Sequence, residues 1–259
     1  MIRVYFGPMG ARKTGQLIDD YEKIEENVYY KGRILVFSPK RDNRFGIGKI
    51  KERDIVEKDG NKILGREIDS IAIEDIFEMK KHLDTQKRRY KNIFIDELNF
   101  FESEPNKEKR ITLRNLEKRR FESMKIILEL SLKNKIDFHL YGLNLTAEMH
   151  PYGLMATAIT FADPNERHEL FAQCADCMDI ARYTYYIPYE KGTNVIGAND
   201  YCALCGPCHL EWSELYKSNK HRGTLDEYYS EAKMLKPELE EEVKDPVKKL
   251  TLPLWYTSY

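Results

Sequence analysis

A short apolar run, residues 2–6, passes directly into Gly7-Pro8-Met9-Gly10-Ala11-Arg12-Lys13-Thr14 and from there into residues 13–24. That last stretch carries Leu17, Ile18, Tyr21 and Ile24 at helical spacing. A strand that turns through glycine into an amphipathic helix is half of a strand–helix–strand crossover, and such units build parallel sheets. Three further buried-strand patterns follow at residues 33–38, 92–96 and 137–142. Between the last two, residues 121–132 place Phe121, Met124, Ile127, Leu128 and Leu130 on a helical period. The pattern predicts an α/β fold with a parallel sheet flanked by helices. The strands should end together on one edge, where such folds bind ligands.

The loop between the first strand and helix is close to G-x-x-x-x-G-K-[ST], in which backbone N–H groups ring an anion at a helix N-terminus. In that pattern a lysine reaches the outer phosphates and a hydroxyl ligates Mg²⁺. Gly7, Lys13 and Thr14 fit; Arg12 stands where the second glycine belongs. A glycine there supplies a positive φ or a close backbone approach, and either costs an arginine on the order of 1 kcal/mol or more. The strand at 92–96 runs out into Asp96-Glu97. An aspartate at that edge can hold Mg²⁺ through water, and a second acid reaching into the crevice can accept a proton from a substrate hydroxyl.

The five cysteines all lie between residues 174 and 208. Cys174 and Cys177 form one C-x-x-C pair, Cys205 and Cys208 another, which is the spacing of a closed four-thiolate structural zinc site. Cys202 and His209 lie close enough to be substitute ligands. The short Tyr- and Val-bearing runs at 182–187 and 193–197 read as β-hairpins that need such a staple. Beyond Trp212 the chain turns charged, and residues 235–250 are rich in Glu and Lys, with one or two peripheral helices expected. The formal charge of −1 argues against a nucleic-acid coat, because that binding needs a cationic excess. A 42% apolar content supplies a core, and no run reaches the ~18 apolar residues of a membrane span. With no leader-like apolar stretch at its start, the chain is expected in the cytoplasm.

In their order along residues 2–210, these segments resemble the cellular (type II) thymidine kinases. That family opens with G-P-M-x-[SA]-G-K-[ST], matched by Gly7-Pro8-Met9 and Lys13-Thr14. Its K-x-x-D-x-R is echoed at residues 38–45, and its D-E-x-Q-F-F by Asp96-Glu97-Leu98-Asn99-Phe100-Phe101. Its substrate-enclosing lasso, G-L-D-x-x-F-x-x-x-P-F-G, corresponds to residues 142–153, and its Y-x-x-x-C-R-x-C-[HY] to residues 201–209. This last match selects Cys205 and Cys208 over Cys202.

The resemblance implies a P-loop NTPase-like domain over residues 1–141 and a small zinc-binding β-rich domain with the lasso over 142–212. Residues 213–259 form a charged extension. It further implies transfer of the ATP γ-phosphoryl group to the 5′-hydroxyl of thymidine, in DNA-precursor salvage, by a homotetramer. Glu97 would be the base. Gly7, Pro8, Met9, Gly10, Ala11, Arg12, Lys13, Thr14, Asp42, Arg44 and Asp96 would serve ATP and Mg²⁺. Met9, Phe100, Leu143, Tyr152, Thr184, Val195 and Tyr201 would line the nucleoside site, with Thr184 beside the thymine methyl group. Cys174, Cys177, Cys205 and Cys208 would hold structural Zn²⁺.

Four departures stand out: Arg12, Ala147 in place of a lasso phenylalanine, Asn144 in place of an aspartate, and Gly197 as the remnant of a glycine pair. An insertion after Phe101 adds Arg110, Arg114, Lys118, Arg119 and Arg120, read as a solvated basic helical face. These changes leave a second class of function open, a non-catalytic nucleotide-binding or interaction scaffold.

Overall fold

The computed structural model describes residues 1–42, 44–52, 55–56, 62–86, 89–101, 113–186 and 201–218. The first half runs β1 (Ile2–Phe6), α1 (Lys13–Glu25), β2 (Ile34–Pro39), β3 (Lys49–Lys51), β4 (Ile55–Val56), β5 (Lys62–Ile63), β6 (Glu67–Asp69), β7 (Ile71–Ile73), α2 (Ile76–Thr85) and β8 (Asn92–Ile95). It continues with α3 (Leu113–Asn134), β9 (Asp137–Gly142), α4 (Gly153–Phe161) and β10 (Arg167–Glu169). β11 (Ala172–Gln173), β12 (Ile180–Ala181), β13 (Tyr183–Tyr186), β14 (Tyr201–Leu204) and α5 (Gly206–Ser218) complete it.

Six strands form one parallel sheet in the order β10-β1-β9-β8-β2-β7. Strand alternation sorts its side chains into two cores. Ile93 and Ile95 of β8 and Phe138 and Leu140 of β9 join Met124 and Ile127 of α3 and Leu154 and Met155 of α4. Phe94 and Tyr141 point the other way, onto Leu17 and Ile18 of α1. Helix α3 begins earlier than the apolar spacing predicted. Phe121, placed on its apolar stripe by that spacing, is 56% exposed and meets Phe161 edge to face. The stripe closes instead through Leu116, which the run at 121–132 did not include.

Register fixes the site. Phe6 lies opposite Gly142, Ile95 opposite Leu140, and Phe37 opposite Ile95. The segments that begin at Gly7, Lys40, Asp96 and Leu143 therefore leave the sheet along one edge. Off the sheet, the β3–β6 hairpin lies on α1: Ile50 is buried with Leu17, and Arg66 pairs with Asp19, Glu22 and Glu52.

The antiparallel pairs β11–β12 and β13–β14, with α5, gather around a third core of Ala172, Ala181, Tyr185, Leu204 and Trp212. Ala11 belongs to this core too, so the phosphate-loop segment packs directly on the cysteine-bearing part. The expected hairpin strand at 193–197 and the charged tail beyond residue 218 lie outside the described residues, as do Val195 and Arg110.

Candidate active site

The loop from Gly7 to Arg12 is shaped by contacts on both sides. A Cβ on Gly7 would sit 2.1 Å from the Leu170 carbonyl oxygen, so only glycine lets β1 turn there beside β10. Gly10 takes a φ of 76°. The Met9 N–H donates to Thr184 Oγ1 at 3.0 Å, which fastens the loop to β13. Lys13 is buried and its Nζ donates to the Gly7 and Pro8 carbonyls at 3.2 and 2.6 Å, across the loop's own turn.

Arg12 occupies the left-handed region (φ 54°, ψ 31°), the conformation for which the pattern uses glycine. Its guanidinium leaves the loop and meets Glu52 at 3.3 Å. A Cβ on Gly15 would lie 2.6 Å from that same Glu52 carboxylate, so glycine in the first turn of α1 makes room for it. The chain thus keeps the loop geometry with an arginine, at a backbone cost of roughly 1–2 kcal/mol. Replacing Arg12 with Gly relieves that cost but removes a largely exposed ion pair worth about 0–1 kcal/mol. Unfolding free energy should change by no more than about 1 kcal/mol, and kcat/KM for ATP by less than about threefold. Denaturant melts and steady-state rates check this; a gain of about tenfold would show that the guanidinium obstructs the loop.

At the ends of β2 and β8 three carboxylates converge on one arginine. Arg44 donates from Nε and Nη2 to the two Asp42 oxygens at 2.7 and 2.6 Å, and its Nη2 lies 3.5 Å from Glu97 Oε1. Burial opposes the Arg44 charge, but the Asp42 hydrogen bonds and the Glu97 charge outweigh it and hold the guanidinium more firmly protonated than usual. Burial, then the nearby Glu97 and Asp42, pushes the Asp96 carboxyl well above the ordinary aspartate range. A buried acid repelled by two others is a place where a hard cation is favoured. Glu97 has a φ of 45°, and its Oε2 is buried with no hydrogen-bond partner. Strain and an unpaired oxygen together single it out from the neighbouring acids.

The lasso segment is a closed turn. Leu145 bridges Pro151, the Thr146 N–H donates to the His150 carbonyl at 2.7 Å, and the Tyr152 N–H to the Asn144 carbonyl at 3.0 Å. Leu143 is buried at its root, Tyr152 precedes α4, and Phe100 lies beneath the Arg41 guanidinium, 4.6 Å from ring centre. Tyr201 pairs with Tyr186 across β13–β14, their rings 5.0 Å apart. Of the predicted lining residues, Met9 and Thr184 are joined directly. Of the basic face, Arg114 and Lys118 are exposed, Arg119 pairs with Asp75 at 2.9 Å, and Arg120 lies over Gly153.

The ligand atoms of Cys174, Cys177, Cys205 and Cys208 lie within 4.8 Å of one another, with the Cys177 and Cys205 sulfurs 3.6 Å apart. A tetrahedral zinc with Zn–S near 2.3 Å requires sulfurs about 3.8 Å apart, so the set fits. Burial would raise the Cys174 thiol, but backbone N–H groups of Cys177, Cys205 and Asp176 prevail and lower it. Cys177 and Cys208 are pushed up, burial first. Cys202 is buried on β14 outside this group, and His209 bonds the Ala147 carbonyl at 3.0 Å instead. Neither serves as a fifth ligand in the cluster.

A parallel sheet whose first strand turns through a glycine loop into a helix, with an acid pair at the end of β8 on the same edge, defines a P-loop-like α/β fold with a side module that carries a four-cysteine cluster. The thymidine kinase family matches residues 1–209. A thymidine kinase of Pseudothermotoga lettingae is 26% identical over 207 residues, covering 78% of this chain and 91% of that relative. The chain belongs to the thymidine kinase family, whose members use ATP, and it is a kinase. No helix among the described residues is long and apolar enough to cross a membrane.

Proposed function

We propose that this kinase transfers the γ-phosphoryl group of ATP to the 5′-hydroxyl of thymidine, giving dTMP and ADP for DNA-precursor salvage in the cytoplasm. The observation that carries the reading is Glu97: strained, mostly buried, with one oxygen near Arg44 and the other unpaired at the sheet edge shared with the phosphate loop. Phosphoryl transfer asks chiefly for alignment and charge neutralisation, so few side chains are needed. The loop N–H groups and Lys13 steady the β- and γ-phosphates, with Lys13 exchanging its loop carbonyls for phosphate oxygens. The Thr14 hydroxyl and the Asp96 carboxylate are the hard oxygen donors that would hold Mg²⁺, which when bound offsets charge on the phosphates. Arg44, pinned by Asp42, presents a fixed positive charge to the transferring group. Glu97 takes the 5′-hydroxyl proton at its free oxygen.

Met9, Phe100, Leu143, Tyr152, Thr184 and Tyr201 form the walls for the nucleoside, and a homotetramer is the assembly the family resemblance implies. The test is ADP production with thymidine, deoxyuridine, deoxycytidine and deoxyadenosine as acceptors. Thymidine-dependent turnover at least about tenfold above the purine nucleoside is expected. Nucleotide binding without turnover on any of them would favour the scaffold reading, to which the Arg12 and Ala147 departures point.

A further inference from the structure

Asn99 lies two residues past Glu97 in the short 3-10 turn Leu98–Phe101 and is fully buried. Its Oδ1 accepts the Leu143 N–H at 2.8 Å, at the point where β9 ends and the lasso begins. Two further observations bear on that bond. A Cβ on Gly142 would fall 2.6 Å from Asn99 Oδ1 and 3.2 Å from the Leu98 nitrogen, so the end of β9 approaches this turn as closely as glycine alone permits. The Asn99 Nδ2, by contrast, is buried with no hydrogen-bond partner. An apolar side chain of similar size would spare the protein that unpaired donor; what asparagine supplies here is one acceptor, aimed at one N–H.

We propose that Asn99 is a positioning residue that ties the root of the lasso to the turn carrying Glu97, setting the distance between the nucleoside-enclosing loop and the carboxylate that takes the 5′-proton. This rests on reading residues 142–153 as the nucleoside-enclosing segment. Without the acceptor, the Leu143 N–H is left buried and unpaired, and the root of the lasso shifts to satisfy it. The phosphate loop is fastened elsewhere, by Gly7 against Leu170 and by Met9 to Thr184, so the ATP site does not depend on this bond. Nucleoside and nucleotide binding should therefore separate.

The experiment compares Asn99→Leu, which removes the acceptor at similar volume, with Asn99→Asp, which keeps an oxygen at the same place. Asn99→Leu is expected to raise the KM for thymidine about tenfold or more with the KM for ATP within about twofold. Asn99→Asp should leave the thymidine KM within about threefold of the unchanged protein. An unchanged thymidine KM in Asn99→Leu, an equal rise in both KM values, or an Asn99→Asp variant as impaired as Asn99→Leu would each overturn the proposal. Amide hydrogen exchange of the unmodified full chain gives a second readout that needs no variant to fold. The Leu143 amide should be protected like that of Leu140 in the adjoining strand, and exchange as fast as at Glu148 in the lasso would also overturn it. If the unmodified protein does not phosphorylate thymidine, the functional reading fails, and the tie is still decided by exchange at Leu143.

Discussion

Replacing Glu97 with Gln is expected to lower kcat by on the order of 10²- to 10⁴-fold, the usual contribution of a positioned general base. KM for ATP and for thymidine should each move less than about threefold. The substitution keeps length, volume and one oxygen for Arg44, whose bidentate grip on Asp42 does not depend on Glu97. What disappears is an oxygen able to take a proton, and its place is the buried Oε2 position. A left-handed backbone at a non-glycine costs on the order of 1–2 kcal/mol whether Glu or Gln occupies it, so the fold should lose little. Single-turnover measurements with ATP and thymidine separate the chemical step from product release. Activity within about tenfold of the unchanged enzyme would remove Glu97 from the proton transfer and leave water as the acceptor. Equal losses in kcat and in affinity would mean that Glu97 shapes the site rather than reacting in it.

The parts of this site that could be read from the sequence are those whose chemistry requires contiguous residues. Gly7 through Thr14 and Asp96-Glu97 each form a local pattern, and both occupy the strand ends that the pattern demands. The cysteine pairs are local as well, and only their meeting across residues 178–204 had to be inferred. What escaped was set by partners far apart in the chain. Glu52 and Arg66 look like any solvated charges until the β3–β6 hairpin is laid on α1, where they receive Arg12 and reach Asp19 and Glu22. Asn99 is an ordinary amide in a motif until Leu143 is brought beside it from the end of the neighbouring strand. β7 and β10, three residues each, are too short for a two-residue period to register, and Arg167-His168-Glu169 has no apolar residue at all. Phe121 is the reverse case, an apolar residue in register with a buried stripe that nonetheless faces outward, because α3 begins just over two turns earlier and Leu116 and Met124 already fill the groove.

Removing metal from the cysteine cluster is expected to weaken thymidine binding about tenfold or more before it slows the chemical step, and to lower the melting temperature. β11, β12, β13 and β14 are two to four residues long and form only two-stranded pairs, which do not stand unaided in water. Four thiolates drawn onto one Zn²⁺ would close this module, and that closure would contribute folding free energy directly. Two hydrogen bonds carry its shape to the site. On one side His209, one residue past Cys208, meets the Ala147 carbonyl in the lasso; on the other, Thr184 of β13 receives the Met9 N–H of the phosphate loop. Neither touches Glu97, Asp96 or Arg44, which are held by β2 and β8 in the large sheet. A loss of about 1.4 kcal/mol in preorganisation at the lasso corresponds to tenfold in affinity, whereas the charge constellation should survive until the module unfolds. Metal analysis should return one zinc per chain, and dialysis against chelator followed by thymidine titration measures the loss. Cys177→Ser, altering the most exposed of the four ligands, should reproduce it in part. Chelated protein that binds thymidine as tightly as before would show that the lasso keeps its form without the cluster, and that the two hydrogen bonds transmit nothing.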